Sequence, residues 1–421
     1  MPRDLAMSGT SSNVISAPLR ALRRSSRPWR MLAITSLSVW CVAVAFVART
    51  CVPRSLDLRI YRAATRLALH GGAPYATLYT SQHFAFTYPP FALFFLAPLS
   101  EVSLHAAVWT LAVLGAVALV AALALSARRA IGWTWARCWV LASLLGGVSC
   151  LALEPVRSTL LLGQVNLVLL ALVVVDLLAV PKAGRGLLIG LAAAVKLTPL
   201  IFVLYLVLKG ERRAALRALG TFAAATALLW LVRPEDSRSF WLHQAFSPSR
   251  RGASRSAFNQ SWWGLVGRLP ATDGWVRLAL WLALCALTVA AGCLIVRRSL
   301  RAGRELDAIL AIAVTGLLVS PISWTHHWCW VALVPVALLA ARPRPIAVTA
   351  ALWFLLATAV VSPYGWHVTG AGSVVPGFSL VGAGALLLVA MSASGRDAPT
   401  LLEPTEGAGA PVSVGVEGAA A

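Results

Sequence analysis

Residues 186–208 read GLLIGLAAAVKLTPLIFVLYLVL, an apolar tract of membrane-spanning length broken near its middle by Lys196 and then by Thr198-Pro199. A lysine is costly in lipid and a Thr-Pro pair ends or kinks a helix, so the tract reads as a span interrupted for a purpose. The apolar pattern repeats on both sides. A first run covers Met31 to Ala48, and others lie near 88–100, 105–126, 138–153, 160–180, 214–232, 276–296, 306–319, 328–341, 346–361 and 378–393. The fold expected is an all-α membrane domain over residues 31–395 with about twelve transmembrane or re-entrant helices, because several segments are shorter than the ~20 residues an upright span needs.

Composition agrees: 59% of the 421 residues are hydrophobic and 12% charged, against about 25% charged in soluble domains. The net charge of +21 sits mostly in the gaps between apolar segments. That placement marks topology and contact with membrane lipids, not nucleic-acid binding. Seven cysteines without a C-x-x-C read as small buried hydrophobes, and no metal or other cofactor is expected. The Ser-, Pro- and Arg-rich stretch 1–30 and the Gly-, Pro- and Ala-rich stretch 396–421 are expected to be disordered cytoplasmic tails.

The positive-inside rule makes the gap holding Arg297, Arg298, Arg301 and Arg304 cytoplasmic, and likewise that holding Arg342 and Arg344. Counting outward puts the 233–275 loop, the Ser320 to His327 stretch and the 362–377 loop on the opposite face, and counting from the basic N-terminus puts the loop holding Asp57 there too. Between 85 and 210 two readings stand. Simple spans leave Arg128, Arg129 and Arg137 outside; a re-entrant segment near 88–100 repairs this only with a second break near Lys196 to Pro199.

Polar clusters on that opposite face carry the candidate chemistry. Asp57 opens a segment in which Arg59, Arg62, Arg66 and His70 share an arc at helical spacing, which reads as an interfacial amphipathic helix. Asp57 is either the N-cap of that helix or a general base beside cations at the membrane surface. Phe86-Thr87-Tyr88-Pro89-Pro90-Phe91 reads as fixing how a helix begins. In Gly163-Gln164-Val165-Asn166 the two amides either bond between helices or hold sugar hydroxyls. Lys196 either snorkels to an interface or, the reading favoured here, binds a phosphate, with Asp176 or a carbonyl at the Thr198-Pro199 break as its structural alternative. The loop with Arg250, Arg251 and Arg255 leads to Asn259-Gln260-Ser261-Trp262-Trp263, where interfacial anchoring accounts for the tryptophans but not for the amides. In Ser320-Pro321-Ile322-Ser323-Trp324-Thr325-His326-His327 adjacent histidines diverge, so one of them facing a phosphate is a better reading than both on one metal.

Taken in order, these motifs resemble the actinobacterial polyprenol-phosphate-mannose-dependent mannosyltransferases of glycosyltransferase family 87, formerly a domain of unknown function. The resemblance rests on Asp57 with Tyr61, on the segments around Tyr88, Gln164 and Asn166, on Gly190 through Pro199, on Asn259-Gln260-Ser261, and on Ser320 to Trp324 with His326-His327. It covers residues from about 31 to 395. The family usually carries Leu or a similar residue after Asn-Gln-Ser, where this chain has Trp262. The resemblance implies a GT-C fold in the plasma membrane and inverting transfer of mannose from polyprenyl-phosphate-mannose to a lipid or glycan acceptor, such as a phosphatidylinositol mannoside, on the non-cytoplasmic side. It implies that Asp57 deprotonates the acceptor and that His326 or His327, Lys196 and loop arginines such as Arg251 hold the departing phosphate. Tyr61, Tyr88, Gln164, Asn166, Asn259, Gln260 and Trp324 would contact substrate. Two rivals are a transporter or flippase of lipid-linked sugars, against which no second copy of the Lys196-Thr198-Pro199 break is found, and a transferase using polyprenol-phosphate-arabinose.

Overall fold

Long apolar runs without interior breakers become the long helices, and the polar or proline-bearing interruptions become the places where the chain turns back. The computed structural model describes residues 27–80, 84–245, 256–269, 274–340, 345–359 and 374–393. The tails up to residue 26 and after 393, Arg251 in the 233–275 loop, and residues 362–373 of the 362–377 loop lie outside the described residues.

In chain order the helices are α1 (Arg27–Arg54), α2 (Leu56–Leu69), α3 (Phe91–Glu101), α4 (Leu104–Ile131), α5 (Trp135–Ala152), α6 (Glu154–Leu162), α7 (Asn166–Leu178), α8 (Leu187–Val195) and α9 (Ile201–Leu208). They continue with α10 (Arg212–Val232), α11 (Pro234–Arg238), α12 (Trp262–Arg268), α13 (Gly274–Arg301), α14 (Glu305–Val319), a 3-10 helix (Thr325–Leu333), α15 (Val334–Ala340), α16 (Pro345–Ala359) and α17 (Val374–Ala393). Among the described residues there is no strand, only two isolated bridges, Leu78 with Ala85 and Asn259 with Trp324. Helices α1, α4, α5, α10 and α13 are long and apolar enough to cross a membrane. The α6–α7 pair, bent by 119°, is a sixth candidate. Around them stand shorter apolar helices, so among the described residues the expected dozen resolves into five or six full-length candidates and a set of short or broken ones. The protein is helical and multi-pass.

Side-chain contacts fix which helix ends lie together. At one end the Trp29 ring stands edge-on to Trp133 at 5.2 Å, with Arg137 over it. Ala179, just past α7, lines the same pocket as Arg128, Arg129 and Trp135. Arg185 ahead of α8 bonds Glu211 at 2.5 Å, and Lys209 after α9 joins both Glu211 and Glu305. The start of α8 and the end of α9 therefore meet, and the two form a hairpin with Lys196 at its tip. Asp176 is not a partner of that lysine. Its carboxylate accepts the backbone N–H groups of Gly186 at 2.7 Å and Ile189 at 2.8 Å, satisfying donors that the first turn of α8 cannot pair internally.

The other end is organised by α2. Arg62, only 7% exposed, donates to the carbonyls of Leu99 at 2.5 Å and Val102 at 2.6 Å, and Arg66 to that of Ser100 at 2.7 Å. These are the carbonyls that the last turn of α3 leaves unpaired, and a guanidinium with its several donors is suited to hold them. The arginine arc expected to face headgroups is thus partly turned inward: Arg59 and His70 stay exposed while Arg62 pins α3. Both ends of α3 stay on α2, since Tyr88 just before it bonds Tyr61 at 2.9 Å. Arg233, past α10, donates to the carbonyls of Ala68 and Gly72 at the far end of α2. Both breaks considered between 85 and 210 thus have a structural counterpart: α3 stays beside α2 at both of its ends, and the chain turns back at Lys196 between α8 and α9.

Candidate active site

The site begins with a glycine. Helix α6 ends at Gly163, whose φ of +70° is unstrained only without a side chain, and a Cβ there would strike the side chain of Leu58. The end of α6 can therefore sit directly on the first turn of α2, and the next residue, Gln164, meets Asp57. The N-cap of α2 is Ser55; Asp57 lies inside the first turn, half-buried, and its Oδ2 accepts from Gln164 Nε2 at 2.5 Å. Burial pushes the Asp57 carboxyl up to about 6, against the Gln164 donor and the charge of Lys196, which both pull it down.

From Gln164 a hydrogen-bonded chain runs to the tip of the hairpin. Tyr88 donates its hydroxyl to Gln164 Oε1 at 2.6 Å and accepts from Tyr61 at 2.9 Å. Lys196 donates to the Tyr88 hydroxyl at 3.0 Å and to Asn166 Oδ1 at 2.7 Å, with its ammonium 5.0 Å from the Tyr88 ring centre. Tyr61, Tyr88, Gln164, Asn166 and Lys196 are each 7% exposed or less. The ammonium has neutral partners only, since no carboxylate among the described residues lies within ion-pair distance of it. Its charge nonetheless acts on Asp57.

Asn166 extends the chain to the histidines, its Nδ2 donating to the His326 carbonyl at 3.0 Å. The His326 ring is buried, stands edge-on to His327 with centroids 4.7 Å apart, and has no hydrogen-bond partner at either nitrogen among the described residues. His327 is half-buried, with Nδ1 likewise unpartnered. Half-buried Trp324 pairs by its backbone with Asn259.

The amides of Asn259 and Gln260 are engaged with the protein itself. Asn259 Oδ1 accepts from the Ser323 N–H at 2.9 Å and its Nδ2 donates to the Pro321 carbonyl at 3.1 Å. Gln260 Nε2 donates to the Ala257 carbonyl at 2.6 Å while its Oε1 accepts from the Leu380 N–H at 3.1 Å. Asn259 thus clamps the stretch leading to the histidines, while the Gln260 amide ties its loop to α17. Trp262, the departure from the family pattern, donates its indole N–H to Thr288 at 2.8 Å, which ties α12 to α13.

The structure thus joins Asp57, Tyr61, Tyr88, Gln164, Asn166 and Lys196 to the backbone of His326 in one web, and sets Asn259, Gln260 and Trp324 one step behind. Sequence reasoning missed Glu154, 2% exposed, whose Oε1 accepts from the Thr325 hydroxyl at 3.0 Å, and Thr159, whose one hydroxyl proton lies between the carbonyls of Pro155 at 2.8 Å and His326 at 3.2 Å. The available signal was a lone Glu154-Pro155 between two apolar segments.

An acid able to take a proton near neutral pH, linked through an amide and a phenol to a buried cation and on to the backbone of a histidine whose ring is unpartnered, suits transfer of a group away from an anionic leaving group. In a multi-pass membrane protein such an arrangement fits a membrane-embedded group-transfer enzyme. The chain belongs to glycosyltransferase family 87, whose model matches residues 86–321. It is 35% identical, over 73% of its length and 78% of the relative's, to the polyprenol-phosphate-mannose-dependent alpha-(1-2)-phosphatidylinositol mannoside mannosyltransferase of Mycobacterium tuberculosis. It is 33% identical to the protein of the same description from Mycolicibacterium smegmatis, over 79% of each chain. A Mycobacterium tuberculosis alpha-(1-2)-phosphatidylinositol pentamannoside mannosyltransferase, also polyprenol-phosphate-mannose-dependent, is 32% identical over 83% of this chain and 82% of its own. No solved structure matches the chain. Family membership sets aside the transporter reading.

Proposed function

We propose that the protein is an inverting α-mannosyltransferase of the GT-C class that moves mannose from polyprenyl-phosphate-mannose to a lipid or glycan acceptor such as a phosphatidylinositol mannoside. The observation that carries this reading is the continuous chain from the Asp57 carboxylate through Gln164 and Tyr88 to Lys196 and on to the His326 segment. It separates a base from a cation by one amide and one phenol, as a displacement needs when a sugar stands between acceptor and leaving group. The relatives' printed donor and acceptors support the substrate class.

In the reaction, Asp57 accepts the proton of the acceptor hydroxyl as its oxygen bonds to the anomeric carbon. The bond from that carbon to the phosphate oxygen breaks on the opposite face, and polyprenyl phosphate departs with the electron pair. Charge grows on the phosphate as the bond breaks, and Lys196, with His326 or His327 and loop arginines including Arg251, stabilises it. Tyr61, Tyr88, Gln164, Asn166, Asn259, Gln260 and Trp324 line or brace the sugar subsite.

The site faces the non-cytoplasmic side of the plasma membrane, and residues 31–395 act as one catalytic domain between cytoplasmic tails. Helix-end contacts support this: Arg128, Arg129, Arg137, Arg185, Lys209 and the Arg297 to Arg304 cluster gather at the end away from Asp57, the charge bias expected of a cytoplasmic face. Membranes containing the protein, incubated with labelled polyprenyl-phosphate-mannose and a lipid extract, should yield a labelled mannolipid. Label moving only from polyprenyl-phosphate-arabinose would replace mannose with a pentose in this reading.

A further inference from the structure

The His326 ring is carried by a weak element. Nine residues, Thr325–Leu333, form a 3-10 helix, whereas such helices rarely exceed three or four residues because their hydrogen bonds are poorly aligned. Among the described residues, the side-chain tethers on its first turn come from one neighbourhood. Asn166 holds the His326 carbonyl at 3.0 Å, with the shared Thr159 proton as a second, weaker donor at 3.2 Å. One residue earlier, the Thr325 hydroxyl donates to Glu154 Oε1 at 3.0 Å, with Thr325 fully buried and Glu154 nearly so. A buried polar acceptor is expensive to keep, and helix packing alone would be served as well by an apolar residue. Glu154 starts α6, the same nine-residue helix whose far end places Gln164 against Asp57. One short element thus sets both sides of the site.

We propose that Glu154 is a positioning residue for transfer: through Thr325 it fixes the first turn of the 3-10 helix, so that the His326 imidazole is presented to the departing phosphate. This rests on the mannosyl-transfer reading above. The imidazole acts on charge that grows in the transition state, so loosening its support lowers kcat and leaves ground-state donor binding nearly unchanged. The Glu154 to Thr325 bond and His326 form a single functional unit, with effects that do not add.

The test uses the full chain in membranes, with labelled polyprenyl-phosphate-mannose and a mannolipid acceptor. Thr325→Val, which keeps shape and loses the donor, is expected to lower kcat roughly tenfold, with donor KM within about twofold and a melting temperature lower by at most a few degrees, because Glu154 loses its donor. Thr325→Ser and Glu154→Gln keep a hydrogen bond and should stay within about threefold of the parent. In a His326→Ala background, Thr325→Val should cause no further loss. Full turnover in Thr325→Val overturns the proposal, as does an equal loss with and without His326. A melting temperature that falls in Thr325→Val and is not restored by Thr325→Ser also overturns it, by making the contact merely structural. If the parent protein itself forms no mannolipid, the transfer reading fails and takes this proposal with it. A parent that is active beside a fully active Thr325→Val removes only the positioning role.

Discussion

Gln164→Leu should move the acid limb of the pH–rate profile without abolishing transfer. Burial raises the Asp57 carboxyl to about 6, and the 2.5 Å bond from Gln164 Nε2 is one of two influences holding it that low. A hydrogen bond to a charged group contributes about 1.5–3 kcal/mol, and each pKa unit corresponds to about 1.4 kcal/mol. Removing the donor should therefore shift Asp57 upward by roughly one to two units. Transfer needs the ionised carboxylate. In the parent, kcat/KM should fall as pH drops through about 6; in Gln164→Leu the fall should begin between roughly pH 7 and 8. Much of the activity lost at pH 6.5 should return at pH 8.5 or above, less a constant factor for the Tyr88 hydroxyl, which loses its acceptor. Initial rates at subsaturating donor over pH 5 to 9.5, in membranes checked for equal protein, give the profile. A limb that stays near 6 while the whole curve drops uniformly would refute the assignment of Asp57 as the base, or of Gln164 as its tuning partner.

Asp57→Asn should lower transfer by about 10²–10⁴-fold, the usual worth of a general base, while protein level stays unchanged because the amide oxygen still accepts from Gln164; near-parental turnover would remove the base role. Lys196→Met relieves an ammonium costing about 2.5–3.5 kcal/mol in lipid but leaves Asn166 Oδ1 without its donor, at about 1–3 kcal/mol. Thermal stability should therefore stay near the parent's while transfer falls by two or more orders of magnitude, since a cation about 4 Å from a phosphate contributes about 4 kcal/mol in a partly screened site. Unfolding with unimpaired donor binding in the surviving protein would make this lysine structural. Asn259→Ala removes the clamp on Ser323 and Pro321, so melting temperature and kcat should fall together; a rise in acceptor KM at unchanged stability would instead place Asn259 on the sugar.

The sequence by itself determined what is local. Apolar runs of sufficient length announce helices in lipid, because each residue's preference for water or hydrocarbon adds along the run whatever its neighbours in space. The same sum exposes the exceptions, so Lys196 with Thr198-Pro199, Gln164 with Asn166, and the paired histidines stand out as polar groups that lipid would reject unless something holds them. Partner choice was not legible. Asp57 and Gln164 are 107 positions apart, and they meet because Gly163 has no side chain to keep α6 off Leu58. Arg62 belongs to an amphipathic arc in sequence but turns inward, since α3 ends beside it with unpaired carbonyls. Asn259 and Gln260 carry the amides expected of a sugar site, yet the loops they join decide that those amides bond the protein backbone. Glu154 was a lone acid in a gap, and only the approach of the 3-10 helix supplies the Thr325 hydroxyl that gives it a role. Periodicity and polarity fix which groups must be satisfied; tertiary packing alone decides by whom, because a hydrogen bond forms between groups brought within about 3 Å, and the chain order does not encode that distance.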